Sequence, residues 1–272
     1  MGICLALTLD SGCATRPKRD PEQSQIRYQL AAGYFRDLRA EAALEELDKA
    51  LQADPQNADA YNMLGIIALK QGHDYTAQLE ILSCLKGKDA ELVRGDAQAK
   101  FREAATHLRK AVELRPDFPE AWNNLSVAEL QLQNWDSALD AARNALKYAA
   151  YATPEMARAN LGWAYYHKKD IQSAWRELHD AVSRAPGFCV GRYRLAKVYV
   201  DRGEIDHASE TLAPVLADIK RCPIQEAQLL GGLLSERRRD SVAAKELFQR
   251  CVDMAPRSCT ADECRRYSQL IH

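Results

Sequence analysis

Leu161-Gly-Trp-Ala-Tyr165-Tyr-His-Lys-Lys-Asp-Ile-Gln-Ser-Ala174-Trp-Arg-Glu-Leu178-His-Asp-Ala181-Val-Ser-Arg-Ala-Pro186 holds a complete pattern of large and small residues. Leu161, Tyr165 and Leu178 are large enough to fill a seam between two helices. Gly162, Ala174 and Ala181 are small enough to let the helices approach closely, and Pro186 ends the second one. Stepping outward by about 34 residues in either direction finds the pattern again. Downstream it gives Leu195, Ala196, Tyr199, Ala208 and Leu212, then Gly232, Ala244, Phe248, Cys251 and Pro256. Upstream it gives Trp122, Leu125, Ala138 and Ala145, then Tyr61, Leu64, Gly65, Ala104, Leu108, Ala111 and Pro116, then Leu30, Tyr34, Ala43, Leu47, Ala50 and Pro55.

This is the period of the tetratricopeptide helix-turn-helix unit, so the expectation is an all-α solenoid of six such repeats over residues 24–258. Two irregularities interrupt the frame. Between 72 and 99 the second unit is about 27 residues longer than the period, which predicts an extra helix around Tyr75 to Leu85 followed by a polar loop. Pro214 falls inside the second helix of the fifth unit and should bend it. After Pro256, Thr260 can cap a last helix, and residues 259–272 are expected to cover the open apolar end of the array.

Composition excludes several functions. With 37 Lys+Arg against 38 Asp+Glu, there is no concentrated basic face of the kind that nucleic acids require. The histidines, His73, His107, His167, His179, His207 and His272, are scattered through different units and mostly fall on faces expected to be solvated. No metalloprotease or nucleophile-elbow motif accompanies them, and Gly231-Gly232 sits in a helical seam rather than a phosphate loop. The expectation is a non-enzymatic binding protein without cofactor, metal or small-molecule substrate.

The first residues read as export chemistry. Residues 1–12 form a short apolar run, too short to span a bilayer, that ends in small residues before Cys13, the plan of a lipoprotein signal peptide with a lipidated cysteine. Asp10 stands where that plan has a leucine, and no basic residue opens the run. Residues 13–23 would then tether a folded body to an acyl anchor. Export implies an oxidising compartment, which makes the other cysteines disulfide candidates. Cys189 and Cys222 flank the fifth unit at ends that antiparallel helices bring together; Cys251, Cys259 and Cys264 cluster at the C-terminus, where one bridge could include Cys251 or Cys259 with Cys264. Cys84, in the insertion, reads as a free thiol.

In such an array the first helix of each unit lines a concave face, and binding relies on side chains there. The inward places are held by Tyr28, Phe35, Ile66, Leu69, Val127, Leu130, Trp163 and Tyr166, with Asn62 and Asn123 available to hydrogen-bond a partner backbone. Later units supply Lys197, Asp201, Glu236 and Arg237. A largely apolar trough of this kind suits an amphipathic helix or an extended segment. The Lys and Asn clamp with which co-chaperone arrays hold a chaperone tail is absent from the first unit, which has Tyr28 and Ala32.

The leader with Cys13, the tether, the six repeats and the Asn-Asn-bearing helix Ala121-Trp-Asn-Asn-Leu-Ser-Val-Ala-Glu-Leu130 together resemble the type IV pilus pilotin family, the outer-membrane lipoproteins of the PilF and PilW kind, and in particular its myxobacterial Tgl-type members of social gliding motility. The resemblance implies an outer-membrane lipoprotein facing the periplasm that binds PilQ secretin monomers and promotes their multimerisation. The alternative is a periplasmic scaffold for a cell-wall or envelope enzyme.

Overall fold

The computed structural model describes residues 19–82 and 84–271; the leader with Cys13 lies outside them. The described residues are all-α, as expected from the pattern, with thirteen α-helices, one π-helical turn and no strand. They divide into two compact units, the first ending at Asn57 and the second starting at Ala58.

The first unit is the hairpin of α1 (Pro21–Arg36) and α2 (Ala40–Ala53). Asp20 caps α1 by accepting from the Gln23 N–H, and Pro21 occupies the first turn, where its missing N–H costs nothing. Ala31, Ala43, Leu47 and Ala50 are fully buried between the two helices. Arg19 closes the open end with a two-pronged ion pair to Asp54 at 2.6 and 2.9 Å, which holds the Asp54 carboxyl below its ordinary pKa.

The second unit stacks five hairpins. They are α3 (Ala58–Ala77) with α4 (Gly87–Leu114), α5 (Pro119–Gln131) with α6 (Trp135–Leu146), α7 (Pro154–His167) with α8 (Ile171–Arg184), α9 (Cys189–Asp201) with α10 (Ile205–Ala217), and α11 (Gln225–Arg237) with α12 (Ser241–Met254). The helix α13 (Cys259–Leu270) packs on α12 and α11. Small residues set the spacing within a hairpin. A methyl group at Gly162 would sit 2.7 Å from Leu178 Cγ, and one at Gly232 would sit 2.4 Å from the Phe248 ring, so only glycine admits this approach.

Five hairpin turns share one hydrogen-bond pattern, in which the helix ends in a left-handed residue and two N–H groups reach back to its last turn. At the α5–α6 turn Gln133 N–H bonds Leu130 O and Asn134 N–H bonds Glu129 O; the same pair recurs at Leu38, Lys169, Gly203 and Arg239. The last residue of each turn is also the N-cap of the next helix.

The lengthened second hairpin differs from the expectation of a separate helix and a polar loop. Instead α3 runs on to Ala77 and continues through a π-helical turn, Gln78–Leu82, while α4 grows to 28 residues. Phe101 explains this: it packs against Gly72 on α3, so the added residues keep burying an apolar seam. Pro214 is accommodated in the last turns of α10, which continues as helix to Ala217. The cap of α13 is Ser258, whose Oγ accepts from Ala261 N–H at 2.9 Å, rather than Thr260, which is already inside the helix.

Three disulfides are present among the described residues. Cys189 bonds Cys222 with Cα atoms 5.5 Å apart, and Cys251 bonds Cys264. Cys84 is not a free thiol: it is bonded to Cys259, with Cα atoms 4.7 Å apart and 175 residues between them in sequence. The pairing arises because the π-helical turn at the end of α3 meets α13. No described helix is long and apolar enough to cross a membrane.

Candidate partner-binding site

The first helices of successive hairpins touch one another as well as their own partners: α3 meets α5, α5 meets α7, and α7 meets α9. That inner layer carries most of the expected groove residues, and the structure sorts them into three groups.

A polar ladder ties the layer together. Asn124 Nδ2 donates to Asn62 Oδ1 at 3.0 Å, and Asn160 Nδ2 donates to Asn123 Oδ1 at 3.1 Å and to Ser126 Oγ at 3.0 Å. Arg194 Nη1 extends it, donating to Asn160 Oδ1 and to the Ala159 carbonyl, both at 3.2 Å. Asn62 and Asn123 are therefore buried, and their side-chain oxygens are engaged inside the fold rather than offered to a guest backbone. Leu69 and Leu130 form a second group, only 7% and 8% exposed. Leu69 packs with Phe101 and Leu125, and Leu130 with Leu139 and Leu161; both are core residues, because neighbouring hairpins cover them.

The third group is accessible. Ile66, Val127, Trp163 and Tyr166 are half-buried, as are Tyr28 and Phe35 on α1 of the first unit. Val127, Leu130 and Trp163 come together with His73, Gln131, Gln133, Trp135, Asn160, His167 and Arg194 around a cleft of about 400 Å³. Its wall is aromatic and cationic. Trp163 stacks on Tyr166 with centroids 4.8 Å apart and planes 6° from parallel; Trp135 stacks on His167 at 4.3 Å and 4°. His167 also meets Trp163 edge-on at 4.8 Å. Over the Trp163 ring lie the Arg194 guanidinium at 5.2 Å and Lys197 Nζ at 5.9 Å, while Lys169 stands 5.8 Å from the Tyr166 ring.

These groups perturb one another. Burial pulls the Arg194 guanidinium down to about 10, still fully charged at neutral pH. Desolvation, followed by the charges of Lys197, Lys169 and Arg194, lowers His167, and desolvation lowers His73, so both rings are held toward the neutral form. Tyr166 is pushed up to about 12, first by burial and then by its hydrogen bond to Asp201.

His73 and His167 are exposed, as expected of most of the histidines, and both line the cleft. The largely apolar trough is corrected, to an aromatic wall with a cationic rim. His167 was readable in principle, four residues after Trp163 on the same helix face; Arg194 stands one period after Asn160. Gln133 and Trp135 come from a turn and a helix start, where repeat spacing gives no facing.

Comparison with known proteins bears on this geometry. A family model described as "Tetratricopeptide repeat" matches residues 96–152 and 128–187, and one described as "TPR repeat" matches 39–72. The repeats are tetratricopeptide repeats. Among solved structures, PilW, described as a widely conserved type IV pilus biogenesis factor, is 22% identical with a TM-score of 0.65 over 89% of this chain and 98% of PilW. PilF of Pseudomonas aeruginosa is 17% identical with a TM-score of 0.67 over 90% of this chain and 98% of PilF. At these identities the likeness shows the fold. The peroxisomal targeting signal receptor of Saccharomyces cerevisiae is 24% identical over 67% of this chain but only 31% of the receptor, so the chain spans about a third of that relative's length.

Proposed function

We propose that this tetratricopeptide protein is a pilotin: an outer-membrane lipoprotein, anchored through Cys13 and facing the periplasm, that binds PilQ secretin monomers and promotes their multimerisation for type IV pilus assembly. The observation that carries the reading is the match in extent with PilW and PilF, since 98% of each is covered by about nine-tenths of this chain. The accessible aromatic cleft supports it, because the chemistry on view is that of protein recognition. An anchored binder also raises the local concentration of its guest, so a weak contact in the cleft becomes effective at the membrane. Membership of the Tgl-type branch, with its part in social gliding, belongs to the same proposal.

The test is secretin assembly in cells that depend on this chain. Val127→Glu with Trp163→Glu places two charges on the accessible wall without touching the buried Leu69 or Leu130. Heat-resistant secretin multimers in the outer membrane are expected to drop at least tenfold while the variant keeps its helical circular dichroism. Cys13→Ala is expected to release the chain from the membrane fraction and to lower multimers similarly. Failure of the unaltered chain to retain secretin from solubilised envelopes would overturn the reading.

A further inference from the structure

We infer that the cleft between α5, α7 and α9 reads a carboxylate: its occupant is an extended polypeptide segment in which an acidic residue lies beside apolar ones, the carboxylate facing Arg194 and Lys197 and an apolar side chain lying against Val127 and Trp163. This deepens the proposed function by naming the chemistry of the bound segment, and it rests on that reading only for the partner's identity.

The charge balance of the wall carries the inference. The ten residues that line the cleft include Arg194 and two histidines and no aspartate or glutamate. Lys197 and Lys169 add positive charge at its rim, over the Trp163 and Tyr166 rings. The carboxylates nearby are engaged elsewhere. Asp201 is hydrogen-bonded to Tyr166; Glu129, though on α5, is 1% exposed and holds Arg109 and Asn134. Asp136 is paired with Lys168.

Arg194 is placed to use this excess. Its two bonds within the fold both leave from Nη1, whereas a guanidinium carries five N–H donors in a planar fork suited to a carboxylate. The ladder through Asn160 and Ala159 holds the group still, so a guest need not immobilise it. Burial strengthens a charge-assisted hydrogen bond made there, and no carboxylate is among the groups that shift Arg194 or His167. The adjoining side chains supply the apolar half of the contact: Val127, Leu130, Trp135 and Trp163 line the same cleft, where an aliphatic side chain can be buried.

The experiment uses the full chain and three octapeptide libraries with randomised flanks and a fixed core of Leu-Glu-Leu, Leu-Gln-Leu or Leu-Lys-Leu, with binding followed by tryptophan fluorescence and calorimetry. The Glu library is expected to bind about tenfold tighter than the Gln library, the worth of one charge-assisted bond, and the Lys library weakest. Added salt should narrow the gap. Lys197→Gln should reduce the preference for Glu and Lys197→Glu should abolish it, whereas Lys245→Glu on the exposed face of α12 should not alter it. Equal binding of the Glu and Gln libraries, tighter binding of the Lys library, or no binding of any library would overturn the inference. If secretin is still retained by the unaltered chain in that event, only the carboxylate chemistry is wrong; if secretin is not retained either, the pilotin reading falls.

Discussion

Leu38, Gln133, Lys169 and Arg239 each hold a φ between 60° and 65°, the left-handed backbone that side chains disfavour, and each stands at the same place in its hairpin turn. Only the fifth such turn uses the residue that costs nothing there, Gly203. The turn is nonetheless retained at all five because it satisfies two N–H groups and aims the next helix back along the first. Leu38 offers the cleanest measurement, being 83% exposed, so its side chain contributes little packing. Leu38→Gly is expected to stabilise the chain by about 0.5–1 kcal/mol, the relief of left-handed strain less the greater unfolded freedom of glycine, read as a shift in urea midpoint. An unchanged or lower midpoint would show that the strain is not there. These turns were silent in the sequence for a plain reason: four of them lack the glycine that marks such a turn. Arg194 was equally hard to read, since a guanidinium that anchors a ladder and one that sits in solvent are the same letter.

Within a hairpin, glycines divide by what faces them. Gly33 on α1 has open space where a Cβ would go, whereas a Cβ on Gly162 would meet Leu178 Cγ at 2.7 Å and the Ala174 carbonyl at 3.2 Å on α8. Gly33→Ala is therefore expected to stabilise by about 0.5–1 kcal/mol through helix propensity, and Gly162→Ala to destabilise by about 1–3 kcal/mol by forcing α7 from α8. Thermal melts of the two variants shifting in the same direction would contradict the close-approach account. The periodic Leu-Gly pair at 161 and 162 made this contact legible in advance. The long second hairpin was not legible, because the residues after Gly72 hold to no repeat template; what extends α3 is Phe101, contributed by the other helix of the pair. Periodicity reports a face, not the length over which a partner will cover it.

At the scale of the second unit, an array of hairpins transmits stability between neighbours, so a bond that skips several of them has an unusual reach. Cys84 to Cys259 is such a bond, closing a sequence separation of 175, against 33 for Cys189 to Cys222 and 13 for Cys251 to Cys264. Loop-closure entropy then ranks their contributions at about 5, 4 and 3 kcal/mol respectively. Paired Cys→Ser replacements, compared by urea denaturation under oxidising conditions, should lose stability in that order. A Cys84→Ser, Cys259→Ser variant that unfolds at the unaltered midpoint would mean that the tie adds nothing to the folded array. The cysteine reading from sequence reached only residues whose places in one hairpin or one cap bring them near each other. Cys84 reads as a free thiol in the sequence because its partner, Cys259, is brought there by the stacking of every hairpin in between.

The amino-acid order was sufficient for the helical hairpins, their spacing and their stacking faces, since each of those depends on contacts between residues within about one period of each other. It could not separate Leu69 and Leu130, which neighbouring hairpins bury, from Val127 and Trp163, which stay open, nor bring His73, His167 and Arg194 to one cleft. Those outcomes depend on how far each hairpin rotates on the next. That rotation is the sum of many side-chain fits across the seams, so it exists only once the helices have packed.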